Sequence, residues 1–183
     1  MSRHAWLILL LATSPAIAAA EPAPDRTACE VWQHELAFAR SVQRHDAAAF
    51  GKFLDGDSVF DANTDKPVRG VDAIRRHWGA ILAGQAVRLD WYPQRVVTTA
   101  DRALAQSSGV YLFENAAANA KTRYAIGHFS TTWRRGPDQV WRVAFDGGDG
   151  GRPASAADVA AFRANRREAC PLVTASTLPT IRH

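Results

Sequence analysis

The feature that most constrains this chain is a change of hydrophobic period near its middle. Up to Gly84 the apolar residues recur mostly at helical spacing, and from Ala86 onward they alternate in strand fashion. Residues 28–45 carry Val31, Glu35, Phe38 and Val42 on one helical stripe, with Trp32 and Leu36 beside it. Asp46 stands as an N-cap for a short second helix in "DAAAFGKFL". "GDSVFDAN" reads as a short strand, and "GVDAIRRHWGAILAG" as a third helix with Val71, Ile74, Trp78, Ile81 and Leu82 on its apolar face and Gly84 as its stop.

Four strand-like segments follow. "AVRLDWYPQRVVTTA" alternates and bends at Pro93, "RALAQSSGVYLFENA" and "KTRYAIGHFSTTWRRG" are the next two, and the turn "GPDQ" leads into "QVWRVAFDGGDGG". A last helix, "SAADVAAFRANRREA", begins at a Ser155 cap. Helices segregated from long antiparallel strands predict an α+β fold, with a curved sheet wrapped on the first helix and a conical cavity between them.

Residues 1–20 are set aside from the fold. "MSRH", the apolar "AWLILLLA" and the small-residue "SPAIAAA" have the order of a secretory signal peptide, and the apolar run is too short to span a bilayer. The expected organisation is a signal peptide at 1–20, a loose leader at 21–27, one domain at 28–170 and a tail at 171–183. This predicts a periplasmic or secreted protein with no stable membrane insertion after cleavage. In an oxidising compartment the two cysteines, Cys29 and Cys170, are most simply a disulfide. Two buried thiols or a metal pair are the alternatives, and the lack of a CxxC spacing argues against metal.

The formal net charge is +4, but the basic residues are scattered and form no stripe, so nucleic acid is not an expected partner. The six histidines are dispersed without H-x-H or H-E-x-x-H units, and no G-x-S-x-G elbow occurs. "DGGDGG" lacks both P-loop and EF-hand spacing. No metal and no cofactor is implied.

The element order, together with "HDAAAFGKFLDGDSVFD", "PVRGVDAIRRHW" and "GHFSTTWRRGPDQVWRVAFD", resembles the nuclear transport factor 2-like superfamily. That superfamily includes ketosteroid isomerases and SnoaL-like polyketide cyclases. The resemblance runs from about Ala28 to Gly148 and implies the α+β cone: a curved antiparallel sheet on N-terminal helices, here with an extra C-terminal helix. In ketosteroid isomerases an Asp after the first strand is the general base, followed by Pro, Gly and an "A-I" helix start. That pattern falls on Asp61, Pro67, Gly70 and Ile74. The two oxyanion donors of those enzymes, a Tyr and a protonated Asp, fall on Phe38 and on Gly127 just before His128, which speaks against that particular isomerisation.

The expected function is binding of a small, largely apolar molecule in a conical pocket, with cofactor-free acid/base chemistry of isomerase, cyclase or dehydratase type. The alternative is a non-catalytic ligand-binding or dimerisation module, and the resemblance implies a homodimer through the sheet. Asp61, His128 and Asp146 are the candidate catalytic residues, and Phe38, Phe60, Trp78, Tyr111 and Phe129 the candidate ligand contacts. His128 qualifies only if its strand face points inward. Two residues away in phase, Gly127, Phe129, Thr131 and Trp133 share the opposite face, and sequence alone leaves open which one is inside.

Overall fold

A computed structural model describes residues 25–171; the expected signal peptide, most of the leader and nearly all of the tail lie outside the described residues. Helix α1 (Arg26–Gln43) begins at Asp25, whose carboxylate accepts from the Ala28 N–H. α2 (Ala47–Lys52) is capped by Asp46, as its sequence predicts. β1 (Leu54–Phe60) and the two-residue β2 (Val68–Arg69) come next.

The third helical segment is broken into α3 (Val71–His77) and α4 (Gly79–Ala83). The break is a local loosening at Trp78, which Gly79 follows; Trp78 still donates to Ile74 and accepts from Leu82. Gly84 ends α4 in the left-handed region at φ 63°, a conformation that glycine adopts without steric cost.

The remaining elements are β3 (Val87–Thr98), β4 (Leu104–Asn115), β5 (Tyr124–Arg135), β6 (Trp141–Gly148), β7 (Arg152–Pro153) and α5 (Ala156–Ala164). They complete a curved, unclosed sheet in the order β2-β1-β6-β5-β4-β3, with β7 added against β5. Every pairing is antiparallel except that of β1 with β6, which is parallel. Parallel neighbours need a long crossover, and here nearly the whole sheet and α3–α4 supply it. β3 does not stop at Pro93. A bulge between Pro93 and Arg95 absorbs the proline, which is tolerable on an edge strand with no outer partner to donate to.

α1 lies across the concave face, burying Val31, Trp32, Leu36, Phe38, Ala39 and Val42. The rings of Phe38, Phe50, Phe60, Trp78, Trp91 and Trp133 interlock in edge-to-face and stacked pairs and fill the narrow end of the cone. α5 covers part of the convex face through Phe162 on Tyr92, and its start carries a full Ser155–Asp158 capping box. A Cys29–Cys170 disulfide ties α1 to the chain beyond α5, with the two Cα atoms 5.4 Å apart.

Candidate functional site

Strand pairing settles the phase of β5. Gly127, Phe129, Thr131 and Trp133 stand opposite Tyr111, Gly109, Ser107 and Ala105 of β4, and this set faces α1. Ile126, His128, Ser130 and Thr132 face outward. His128 is therefore on the convex side, three-quarters exposed, with its Nδ1 3.1 Å from Asp149. It does not share a cavity with Asp61, and it pairs with Asp149 rather than with Asp146.

The inward set meets Glu35 of α1. Helical spacing places Glu35 between Val31 and Phe38 on the buried stripe, and the side chain has no exposure to solvent. Its carboxyl is surrounded by donors. Trp91 Nε1 donates to Oε1 at 2.6 Å and Trp133 Nε1 to Oε2 at 2.8 Å, while the Ser107 hydroxyl donates to Oε2. Burial raises its proton affinity, and the hydrogen bonds oppose that rise without cancelling it.

Thr131 stands opposite Ser107 on the neighbouring strand. Its Oγ1 donates to Asp146 Oδ2 at 2.7 Å. Asp146 sits on β6 beside Thr131 and is half-buried. Burial pushes its carboxyl up to about 7; the Thr131 hydrogen bond works against this, and the nearby Glu35 and Asp61 charges add to it. The unfolded value is near 3.8, so Asp146 contributes stability that is complete below about pH 4 and is lost as the pH rises through about 7. Asp146→Asn is therefore expected to flatten the pH profile. Against wild type, the variant should gain about 4 kcal/mol between pH 4 and pH 8, read by urea unfolding. Parallel profiles for the two proteins would contradict it.

Asp61 follows β1 directly, in the left-handed region at φ 52°. Its carbonyl accepts from the Thr64 N–H at 3.0 Å, and the next residue, Ala62, donates its N–H to the Asp146 carbonyl at 3.1 Å. This turn fastens Asp61 beside Asp146. The Asp61 carboxylate lies 3.0 Å from His77 Nε2 at the end of α3.

Asp61 and Asp146 both line a cavity of about 290 Å³, with Trp78, Trp91, Tyr111 and Phe129 as its aromatic walls. Tyr111 reaches the wall because position 127 is glycine: a Cβ there would stand 2.6 Å from the ring's Cζ. The Tyr111 hydroxyl donates to the Asp149 carbonyl at 3.0 Å, and burial raises its phenol further above the ordinary range. Phe38 and Phe60 do not reach this space. Both are fully buried beneath it, with Phe38 against Trp91 and Phe60 against Trp78 at ring separations of 5.2 Å. The cone is thus plugged at its apex and open nearer its mouth.

A profile of the SnoaL-like domain family matches residues 36–167. The chain belongs to this family. The match takes in every cavity residue named above, and only Glu35, one residue outside, falls short of it. Comparison with curated proteins finds no match. Among solved structures, a nuclear transport factor 2-like superfamily protein from Salmonella enterica is 17% identical, with 71% of this chain and 93% of that one covered at a TM-score of 0.55. A ketosteroid isomerase-like protein from Erwinia carotovora atroseptica is 15% identical, covering 66% of this chain and 92% of its own at 0.53. A protein of unknown function from Pseudomonas putida aligns at 0.53 with 15% identity over 66% of this chain and 84% of its own. At these identities the likeness shows a shared fold. The functional reading of this SnoaL-like chain therefore rests on its own residues.

Sequence reasoning singled out Asp61, Asp146, Trp78, Tyr111 and Phe129, which the fold brings together. It passed over Glu35, although an acidic residue in the middle of an apolar helical stripe is a readable signal. It also passed over Thr131, whose role depends on a cross-strand neighbour.

Proposed function

We propose that this SnoaL-like domain binds a small, largely apolar molecule in the aromatic cavity and exchanges a proton with it without a cofactor. What carries the reading is the place of Asp146: its carboxyl, pushed up to about 7 by burial, lines a cavity together with the rings of Trp78, Trp91, Tyr111 and Phe129. A carboxyl with that proton affinity can donate to a ligand carbonyl and take the proton back at neutral pH. Asp61, paired with His77, supplies a second carboxylate at the same cavity to accept a proton from the ligand. Asp146 thus offers, from a different strand, the acid donor that the Phe38 and Gly127 positions do not provide. Isomerisation, cyclisation and dehydration all use such a pair.

The Cys29–Cys170 disulfide supports an exported location, where such a bond persists.

A thermal-shift screen of small aromatic ketones tests the binding. Hits are expected to stabilise wild type at pH 6 and to lose most of their effect at pH 8.5. In Asp146→Asn the shift should no longer depend on pH. A shift of the same pH dependence in both proteins would favour the non-catalytic binding module, and no shift from any compound would sink the reading altogether.

A further inference from the structure

The walls of the aromatic cavity are built from four elements. Trp91 of β3 stands directly across from Tyr111 of β4, and Phe129 lies on β5, the next strand. Trp78 comes from the break between α3 and α4. Its ring centroid lies 6.3 Å from that of Trp91 at an interplanar angle of 82°, and Phe129 lies 6.5 Å from Trp91 at 66°. The rings therefore meet as corners rather than as parallel plates.

The hydrogen-bond donors of these walls are already engaged. The Trp91 N–H is given to Glu35, the Tyr111 hydroxyl to the Asp149 carbonyl and the Thr64 hydroxyl to the Asp61 carbonyl. An indole N–H can only donate, so Trp91 has nothing but its ring to offer a ligand. The carboxyls differ. His77 engages Oδ2 of Asp61 and Thr131 engages Oδ2 of Asp146, and each carboxyl keeps its Oδ1 as a further acceptor.

The charge is equally one-sided. The chain has a formal net charge of +4, yet three aspartates and, among the described residues, no lysine or arginine line this cavity. Elsewhere Asp55, Asp90, Glu114, Asp138 and Asp158 are paired with arginines. In the cavity the ion-pair partners of Asp61 and Asp149 are histidines, His77 and His128. An arginine neutralises its partner at any ordinary pH, and a histidine does so only when protonated. Carboxylates beside aromatic rings, whose faces are themselves negative, attract a cation. Among the described residues no three acidic, histidine or cysteine side chains converge as a metal site. Rings cannot replace the oxygen ligands that a hard metal ion needs, and they suit an organic cation.

We infer that the molecule bound in this cavity carries an alkylated ammonium group, tertiary or quaternary, which lies against the rings of Trp78, Trp91 and Tyr111 with Asp61 as its counter-ion. Alkyl groups on the nitrogen give the charge an apolar surface that rings can cover, whereas a primary ammonium has three N–H donors to satisfy. The volume of about 290 Å³ is at the small end for a ligand pocket and holds such a group with one further ring. The inference rests on the reading of this cavity as a ligand site, and it narrows the ligand from a largely apolar molecule to one with a cationic head. Asp146 is left to exchange a proton with the rest of that molecule.

Two probes of the same shape test it: benzyltrimethylammonium and neopentylbenzene, in which carbon replaces the nitrogen. Their affinities for the protein are measured by titration at pH 8 in low-salt buffer, with the indole N–H signals followed by NMR. The cation is expected to bind about tenfold more tightly than the hydrocarbon and to move the Trp91 indole signal. Asp61→Asn keeps the side-chain volume, and it should cut the affinity for the cation about fivefold while leaving that for the hydrocarbon unchanged. Equal affinities in wild type, or a tighter hydrocarbon, would overturn the inference and leave the cavity standing as an apolar ligand site. A cation preference undiminished in Asp61→Asn, or one that leaves the Trp91 signal in place, would overturn the assignment of the cation to these residues. If neither probe binds, the reading of the cavity as a ligand site falls as well.

Discussion

Replacing Glu35 by alanine is expected to lower the unfolding free energy by about 4 kcal/mol. The change leaves the buried Trp91 indole N–H without an acceptor and Trp133 with only the Ser107 oxygen at 3.2 Å, strips the Ser107 hydroxyl of its acceptor, and opens a void at the centre of the aromatic cluster. Glu35→Gln keeps the volume and one carbonyl oxygen but sets an NH₂ group against a donor, so it should cost about half as much. Urea unfolding of the two variants measures both. A loss below about 1 kcal/mol for Glu35→Ala would mean that the network contributes little to stability.

Removing the Cys29–Cys170 bridge is expected to cost about 5 kcal/mol in the chain-entropy account, because it closes a separation of 141 residues. Little else fastens the segment after α5 to the domain. Gln33 and Arg40 of α1 reach Glu168, and Arg166 pairs with Asp90 at 2.6 Å. The exposed contacts to Glu168 contribute little, and the partly buried Arg166–Asp90 pair is a single ion pair. The Cys29→Ala/Cys170→Ala variant, compared with oxidised wild type by thermal and urea unfolding, should lose most of that amount. An unchanged midpoint would show that the reduced chain is already constrained by the packing of α1 on the sheet.

The order and type of most elements were legible because the hydrophobic period changes where the fold changes from helix to sheet, and because Asp46, Gly84 and Ser155 mark ends by chemistry that acts locally. The candidate site was legible at Asp61, which follows β1, and at Asp146, which lies two residues before the end of β6. What escaped depends on partners distant in sequence. The parallel pairing of β1 with β6 joins segments more than eighty residues apart. The phase of β5 was ambiguous because both of its faces mix polar and apolar side chains. Only the register against β4, which sets Thr131 opposite Ser107 and Phe129 opposite Gly109, turns one face inward. For that reason His128 lies on the outer face, where it lines a separate pocket with Asp146 and Asp149, while Thr131 lies on the inner one. Phe38 and Phe60 have the right character for a ligand wall, yet Trp78 and Trp91 lie over them and take that place.

Asp146, pushed up to about 7 by burial, is proposed to meet the ligand as a carboxylic acid below that pH. The most direct measurement is the calorimetric affinity of one aromatic ketone, 2-acetylnaphthalene, between pH 5 and pH 9. This probe only accepts hydrogen bonds and does not titrate in that range, so any pH dependence belongs to the protein. Wild type should bind about fivefold more weakly once Asp146 is ionised, with a midpoint near 7, and Asp146→Asn should bind equally at every pH. A wild-type affinity that is flat across the range, or one that falls with the same midpoint in Asp146→Asn, would contradict the claim.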